Sequence, residues 1–208
     1  MGKSISARNE AKAAGKTPEQ IEERFPVPDV IYICGTVTVD SAEPVWELND
    51  WPGDYDGSTV MTEVKPHTDI PNKDGSEDAV HEIPKVLVKV AAGGDLTIED
   101  VLIRNMTDDK DSDTIQVEGG KLTFRGTTTL TGELQAKGAI AGKTSTYGEH
   151  VVVSDGGTFI MDDSWTGIIM RRQHGVTASG SGTGIIMNSG EIRENISYDK
   201  ALYDAGDT

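Results

Sequence analysis

Lys89-Val-Ala-Ala-Gly-Gly-Asp-Leu-Thr-Ile-Glu-Asp100 decides the fold, because it comes back along the chain. Gln116-Val-Glu-Gly-Gly-Lys-Leu-Thr-Phe-Arg125 and Val152-Val-Ser-Asp-Gly-Gly-Thr-Phe-Ile-Met161 align with it without gaps. Ile186-Met-Asn-Ser-Gly-Glu-Ile-Arg-Glu-Asn195 follows the same pattern. The shared order is an apolar residue, two small or polar ones, Gly or Ser, then Gly. A polar residue and an apolar one come next, usually with a second apolar residue two places on. The second glycine falls at Gly94, Gly120, Gly157 and Gly190, that is 26, 37 and 33 residues apart. Self-similarity at such intervals marks a stack of like units.

Each unit reads as strand, tight glycine corner, strand. Paired glycines supply positive φ where a side chain would clash, so the chain turns without a long loop. Alternation after the corner, as in Leu96-Thr-Ile98 and Leu122-Thr-Phe124, points every second residue inward. One unit cannot bury its inward face, whereas a stack can. The expectation is an all-β, right-handed, single-stranded parallel β-helix with three faces per coil, extra residues bulging out between faces. The competing fold, an antiparallel sandwich with glycine hairpins, would not repeat one corner motif at each interval.

Working outward, residues 4 to 24 read as a helix closing the first coil, and residues 1–28 as this amphipathic capping helix and its linker. Thr17-Pro-Glu-Gln20 has the capping-box form, with Ile21 and Phe25 on one face. The β-helix occupies 29–208. Val30 to Val39 is its first strand, bent at Gly35. Residues 41–85 form a long polar loop on the first coil, and Val86 to Val90 starts the regular coils. No amphipathic cap follows Ile192, so the last coil is expected to be open to end-to-end association or to further coils of a longer parent.

With 36% apolar residues and 24 glycines, the composition suits a repetitive β structure better than a helical bundle. A formal charge of −16 excludes nucleic acid and anionic membranes as partners. No run is long enough to span a membrane as a helix, and no apolar h-region follows Met1, so no export signal is expected in this stretch, which can still be a piece of an exported protein. Cys34, the lone cysteine, follows Ile31-Tyr-Ile33 and reads as a small buried hydrophobe.

Ile31-Tyr-Ile-Cys-Gly-Thr-Val-Thr-Val39, the run from Val90 to Ile103, Val117 to Phe124 and Gly184-Ile-Ile-Met-Asn-Ser-Gly-Glu-Ile192 carry a resemblance. The chain resembles the pectin-lyase-like β-helix repeats of large surface proteins from Gram-positive gut bacteria. The likeness covers about residues 28 to 195 and is weakest over 41–85. It implies an exported, cell-surface protein with adhesion or glycan contact as its usual role, an analogy from fold.

That fold also hosts polysaccharide lyases and glycoside hydrolases. Lyases of this kind use calcium and a basic residue, and polygalacturonases use aspartates near Gly-His-Gly and Arg-Ile-Lys. Here the nearest set is Asp162, Asp163 and His174, but Gln173 stands where the first glycine would be and Arg-Ile-Lys is missing. The expectation is therefore a non-enzyme without a required cofactor. Calcium is the one ion its acidic loops suit. Asp50, Asp54 and Asp56 offer oxygens around Gly57, with Glu63 in reach, and Asp108-Asp-Lys-Asp-Ser-Asp113 forms a second acidic loop. Solvated turns with Asx caps are the plainer reading of both. His67, His81, His150 and His174 have no zinc-like spacing, and neither a Gly-x-Ser-x-Gly elbow nor a P-loop occurs. The sequons at Asn105 and Asn195 matter only in a secretory eukaryotic host.

The binding residues expected for a polysaccharide or cell-surface glycan are the rings of Trp46, Trp51, Tyr55 and Trp165, with Arg171 and Arg172 for an anionic sugar. Rings packed as a lid over the first coil are the alternative. Three functions remain: a non-catalytic glycan-binding or adhesion module, a polysaccharide-active enzyme, and a structural spacer.

Overall fold

The structure, a computed structural model, describes residues 10, 11, 13–17, 20, 30–33, 35–47, 63–66, 84–105, 112–132, 148–170, 172, 174–193 and 195. Its strands form three sheets, every pairing parallel. Sheet A holds β1 (Val30–Ile33), β4 (Glu63–Pro66), β7 (Leu102–Asn105), β10 (Thr129–Gly132), β13 (Ile168–Met170) and β16 (Glu191–Ile192). Sheet B holds β2 (Val37–Val39), β5 (Val86–Val90), β8 (Asp113–Glu118), β11 (Val151–Ser154) and β14 (Val176–Ala178). Sheet C holds β3 (Trp46–Glu47), β6 (Asp95–Glu99), β9 (Lys121–Arg125), β12 (Thr158–Met161) and β15 (Gly184–Met187). The chain visits A, B and C in turn, and each strand pairs with the strand one such circuit later. The protein is thus all-β with parallel sheets, compatible with a parallel β-helix.

Stacking follows from side-chain alternation. In β6, Leu96 and Ile98 are buried while Asp95, Thr97 and Glu99 are partly exposed. Register then builds columns: Leu96 on Leu122 on Phe159, Ile98 on Phe124 on Met161, Ile103 on Leu130 on Ile169, and Val90 on Val117 on Val153. All twelve side chains are buried, each contributing roughly 1.5–3 kcal/mol of apolar transfer. Phe124 and Phe159 meet edge to face with centroids 4.9 Å apart.

The glycine corner joins sheet B to sheet C. Asp95, Lys121, Thr158 and Gly184 follow it in register, 26, 37 and 26 residues apart. Gly93, Gly119 and Gly156 supply the positive φ, at 87°, 74° and 80°. Their successors do something else. A Cβ on Gly94, Gly120 or Gly157 would run into the carbonyl oxygen of Val39, Ala91 or Val117 respectively, on the preceding circuit. One glycine is needed for conformation and the next for close approach.

The fourth repeat corrects the sequence reading. Gly190 lies between β15 and β16, at the corner from sheet C to sheet A, where a Cβ would penetrate the Trp165 ring. The fourth glycine corner from sheet B to sheet C is instead at residues 179–184, turned by Gly180 and Gly182 at φ 92° and 76°.

Two further expectations change. The strand expected over Val30–Val39 is split at Gly35 into β1 and β2, which belong to different sheets. The expected loop 41–85 contributes β3 and β4. Of the expected helix, Glu10, Ala11, Ala13 and Gln20 are helical. The Ala14 N–H donates to Glu10 O, the Lys16 N–H to Ala11 O, and Gly15 takes φ 74°, the geometry of a helix C-terminus. The capping box forms beyond it: the Gln20 N–H donates to Thr17 Oγ1 at 3.4 Å and the Thr17 N–H to Gln20 Oε1 at 3.2 Å. A continuous helix through residues 4–24 is thereby interrupted at Gly15, and its capping role lies outside the described residues, as does Cys34.

Candidate functional site

Chain length concentrates at the corner from sheet A to sheet B. The connections 67–85, 106–112 and 133–150 all leave from it. Where successive circuits meet there, the interior is polar rather than apolar. Asn105, Ser112, Thr114, His150 and Arg172 are all buried. Buried polar groups demand partners, and these form a chain. Asn105 Nδ2 donates to Thr114 Oγ1 at 3.3 Å, and Thr114 Oγ1 lies 3.0 Å from His150 Nδ1. His150 Nε2 is 2.6 Å from the Met170 carbonyl oxygen, which can only accept. Nε2 therefore carries the proton, and Nδ1 accepts from Thr114. Arg172 donates through its guanidinium to Ser112 O and through its N–H to Asn195 Oδ1. Asn195 Nδ2 in turn donates to Ile169 O at 3.0 Å.

The outer surface at this corner carries a second group. Glu149 Oε1 lies 3.3 Å from His174 Nδ1, and Thr177 Oγ1 donates to Glu149 Oε2. Asp113 Oδ1 accepts the Glu149 N–H at 2.9 Å, and Asp113 Oδ2 accepts from Gln116 Nε2 at 2.9 Å. Lys89 and Glu118 pair at 2.6 Å on the same sheet. A strip of donors and acceptors thus lines the border of sheet B with sheet A, with His174 oriented by a carboxylate, while Val152 interrupts the outward column between Gln116 and Thr177.

Several expected binding residues sit elsewhere. Trp46, 4% exposed, packs in the core, its column continuing to Ile98. Trp165 is 0% exposed, and its Nε1–H donates to Thr128 O at 2.6 Å. Neither ring is presented to a sugar, because each is covered by the next circuit or by core side chains. Arg172, 3% exposed, braces the corner instead of facing an anionic ligand. Trp51, Tyr55, Arg171, Asp50, Asp54 and Asp56 lie outside the described residues, as do the Glu63 side chain and residues 108–111 of the second acidic loop.

Asp162 and Asp163 follow β12, whereas His174 precedes β14, so β13 separates them. Asp162 Oδ1 accepts the Ser164 N–H at 3.1 Å and its hydroxyl at 2.9 Å. The Ser164 N–H first, then Asp163 and the Ser164 hydroxyl, hold the Asp162 carboxyl below the usual carboxylate range. Asp162 is an ionised corner acid engaged with its own loop, and its partner His174 is engaged with Glu149. The expected acid–histidine grouping is not brought together. Both sequon asparagines are structural: Asn105 is buried and Asn195 is bonded to three backbone groups.

Among the described residues no set of three His, Cys, Asp or Glu side chains is placed to hold a metal ion. No described helix is long and apolar enough to cross a membrane. No family model matches this chain, and no curated protein or solved structure matches it.

Proposed function

We propose that this chain is a right-handed parallel β-helix of the pectin-lyase-like kind, serving as a non-catalytic glycan-binding or adhesion module of an exported, cell-surface protein. The rotation of successive strands through three parallel sheets supports the β-helix. The polar strip on sheet B carries the binding reading: Lys89, Gln116, Glu149, His174 and Thr177 offer donors and acceptors on one side. The connections 67–85, 106–112 and 133–150 leave at its border. Flat polar arrays beside variable loops are how rigid β scaffolds present binding residues. Calcium enters this reading only through the acidic segments around Asp54 and Asp108.

A spacer role is the second reading, and a specific observation favours it. Ile185, Ile186 and Met187 of β15 and Ile192 of β16 are 38–49% exposed, whereas Ile33, Val39 and Trp46 of the first circuit are buried. Exposed apolar side chains on the last described strands offer a surface for a further coil to bury. The enzyme alternative, lyase or hydrolase, loses support from the separation of Asp162 and His174.

The test is a panel of plant, mucin and microbial polysaccharides, with and without calcium, following retention and the appearance of reducing or unsaturated ends. Retention without cleavage, lost in Glu149→Gln, is the expected outcome. Cleavage overturns the proposal in favour of an enzyme. Silence on both counts overturns it in favour of the spacer, whose sign is end-to-end association in light scattering.

A further inference from the structure

The one histidine in the interior of the described structure ties three circuits together. His150 precedes β11, receives the hydroxyl of Thr114 from β8 on one side, and donates to the carbonyl of Met170 from β13 on the other. Its own N–H donates to the carbonyl of His174 at 3.1 Å, and its carbonyl accepts from Ile115 at 2.8 Å. The ring is a bolt through the corner, with both nitrogens used.

We propose that His150 is an acid-sensitive latch, holding the last circuit from β13 to β15 on the circuits before it only while its ring is neutral.

The groups packed around the ring explain the requirement. From β7 and β8 come the neutral Asn105 and Thr114, and from β13 a carbonyl. The corner residue Arg172 contributes a buried guanidinium. Neither hydrogen-bond partner of the ring is a carboxylate. The nearby Glu149 turns its oxygens outward to His174 and Thr177, and Asp113 is bonded to the Glu149 N–H and to Gln116. An imidazolium here would bury a second cation near Arg172 and place a proton where Thr114 now donates. Burial accordingly drives the pKa of the ring from 6.5 down to about 3, with the Met170 carbonyl opposing the fall and Arg172 adding to it.

The sign follows. A histidine whose folded value is depressed stabilises the closed form fully above pH 6.5, and that contribution is lost as pH falls from 6.5 towards 3. Opening is cheapest at the last circuit, whose apolar residues Ile185 and Met187 are already exposed. Once β13 and Met170 lift away, the ring meets water and titrates normally.

The experiment is amide exchange of the full chain at pH 7.5 and pH 4.5, corrected for intrinsic rates, together with NMR titration of the His150 ring. Protection in β13–β15 is expected to fall about 100-fold more than in His150→Gln, an amide that can bond but not titrate. The His150 ring is expected to remain neutral in the folded protein through pH 5. Equal loss of protection in both proteins overturns the proposal, as does a folded-state ring titration near pH 6.5. Should His150→Gln lose protection already at pH 7.5, the wild-type ring titration decides alone: neutrality at pH 5 with β13–β15 opening first supports the latch, and any other result overturns it.

Discussion

Alanine at three glycines separates the two reasons this fold uses glycine. Gly120 has no left-handed φ, but a Cβ there would overlap Ala91 O, lie 2.8 Å from Val90 Cγ1 and 3.0 Å from Val90 O. Those are backbone and core atoms of the preceding circuit, so relief requires two stacked circuits to part. Overpacking of this kind costs roughly 1–3 kcal/mol, and rigid neighbours place Gly120→Ala near the upper end. Gly119 poses the other problem. Its φ of 74° costs an L-residue about 1–2 kcal/mol, partly offset by about 0.5–1 kcal/mol from a less flexible unfolded chain. Its Cβ would lie 3.2 Å from Ala92 Cβ and 3.3 Å from Asp155 O, contacts that a few tenths of an ångström would relieve, so a net loss of about 1 kcal/mol is expected. Gly35 has neither constraint, with nothing within 4 Å and no positive φ, and its alanine variant should be neutral or stabilised by up to about 1 kcal/mol.

Urea unfolding followed by far-UV circular dichroism checks the order. With a slope of roughly 1–3 kcal/mol per molar, the midpoint for Gly120→Ala should drop by about 1 M or more, Gly119→Ala by less than half of that, and Gly35→Ala not at all. Equal midpoints for Gly120→Ala and Gly35→Ala would refute the close approach of successive circuits at this corner. A larger loss at Gly119 than at Gly120 would mean that conformation, and not contact, dominates.

Trp165→Phe should destabilise the protein by about 2–3 kcal/mol, since it removes the donor to the buried Thr128 carbonyl and leaves the space of one ring. Thermal or urea unfolding measures it, and a loss under about 0.5 kcal/mol would show that the ring is not held as described. Asp162→Asn should flatten the acid limb of stability. The folded carboxyl titrates below the ordinary 3.8, so its contribution is present above that value and disappears as pH falls through the lower folded one. The comparison is of urea midpoints at pH 5 and pH 3, and an unchanged pH dependence in the variant would remove Asp162 from the acid response.

The three-sheet architecture was legible because register and sequence share a period. Gly94, Gly120 and Gly157 are equivalent positions in space as well as in the alignment, since close approach at that corner recurs every circuit. Gly190 broke the inference because the same residue type answers a different need there, the Trp165 ring. Ser179–Gly184 was missed because its corner uses two separated glycines where the others use an adjacent pair. The bend at Gly35 was legible in residues 30–39 but the change of sheet was not, because the pattern of each half reads alike whether the two halves lie on one face or on adjacent ones.

The site was read less well, and the reasons are physical. Trp165 follows Asp162-Asp163-Ser164, a context that suggests water, yet its one polar atom finds a carbonyl inside and the ring turns in. His150 and His174 look scattered because ligand spacings are sought within a few residues. In stacked circuits spatial neighbours are one circuit apart, and these two residues are joined through the backbone at 3.1 Å.

The same rule shows where scarce cations go. With 19 Lys and Arg against 35 Asp and Glu, acidic side chains outnumber the cations that can stand opposite them. Strands in register bring such side chains directly opposite, where like charges destabilise. Register sets Lys121 opposite Asp95 at 2.7 Å and Arg125 opposite Glu99, with Arg125 also 3.9 Å from Asp162, while Lys89, opposite Gln116, reaches diagonally to Glu118 at 2.6 Å. These pairs are largely exposed, so each adds at most about 1 kcal/mol. Their larger effect is on register. A slip of one residue would turn each cation to the other face of its strand, together with the apolar residues that alternate with it, so charge and core select the same alignment.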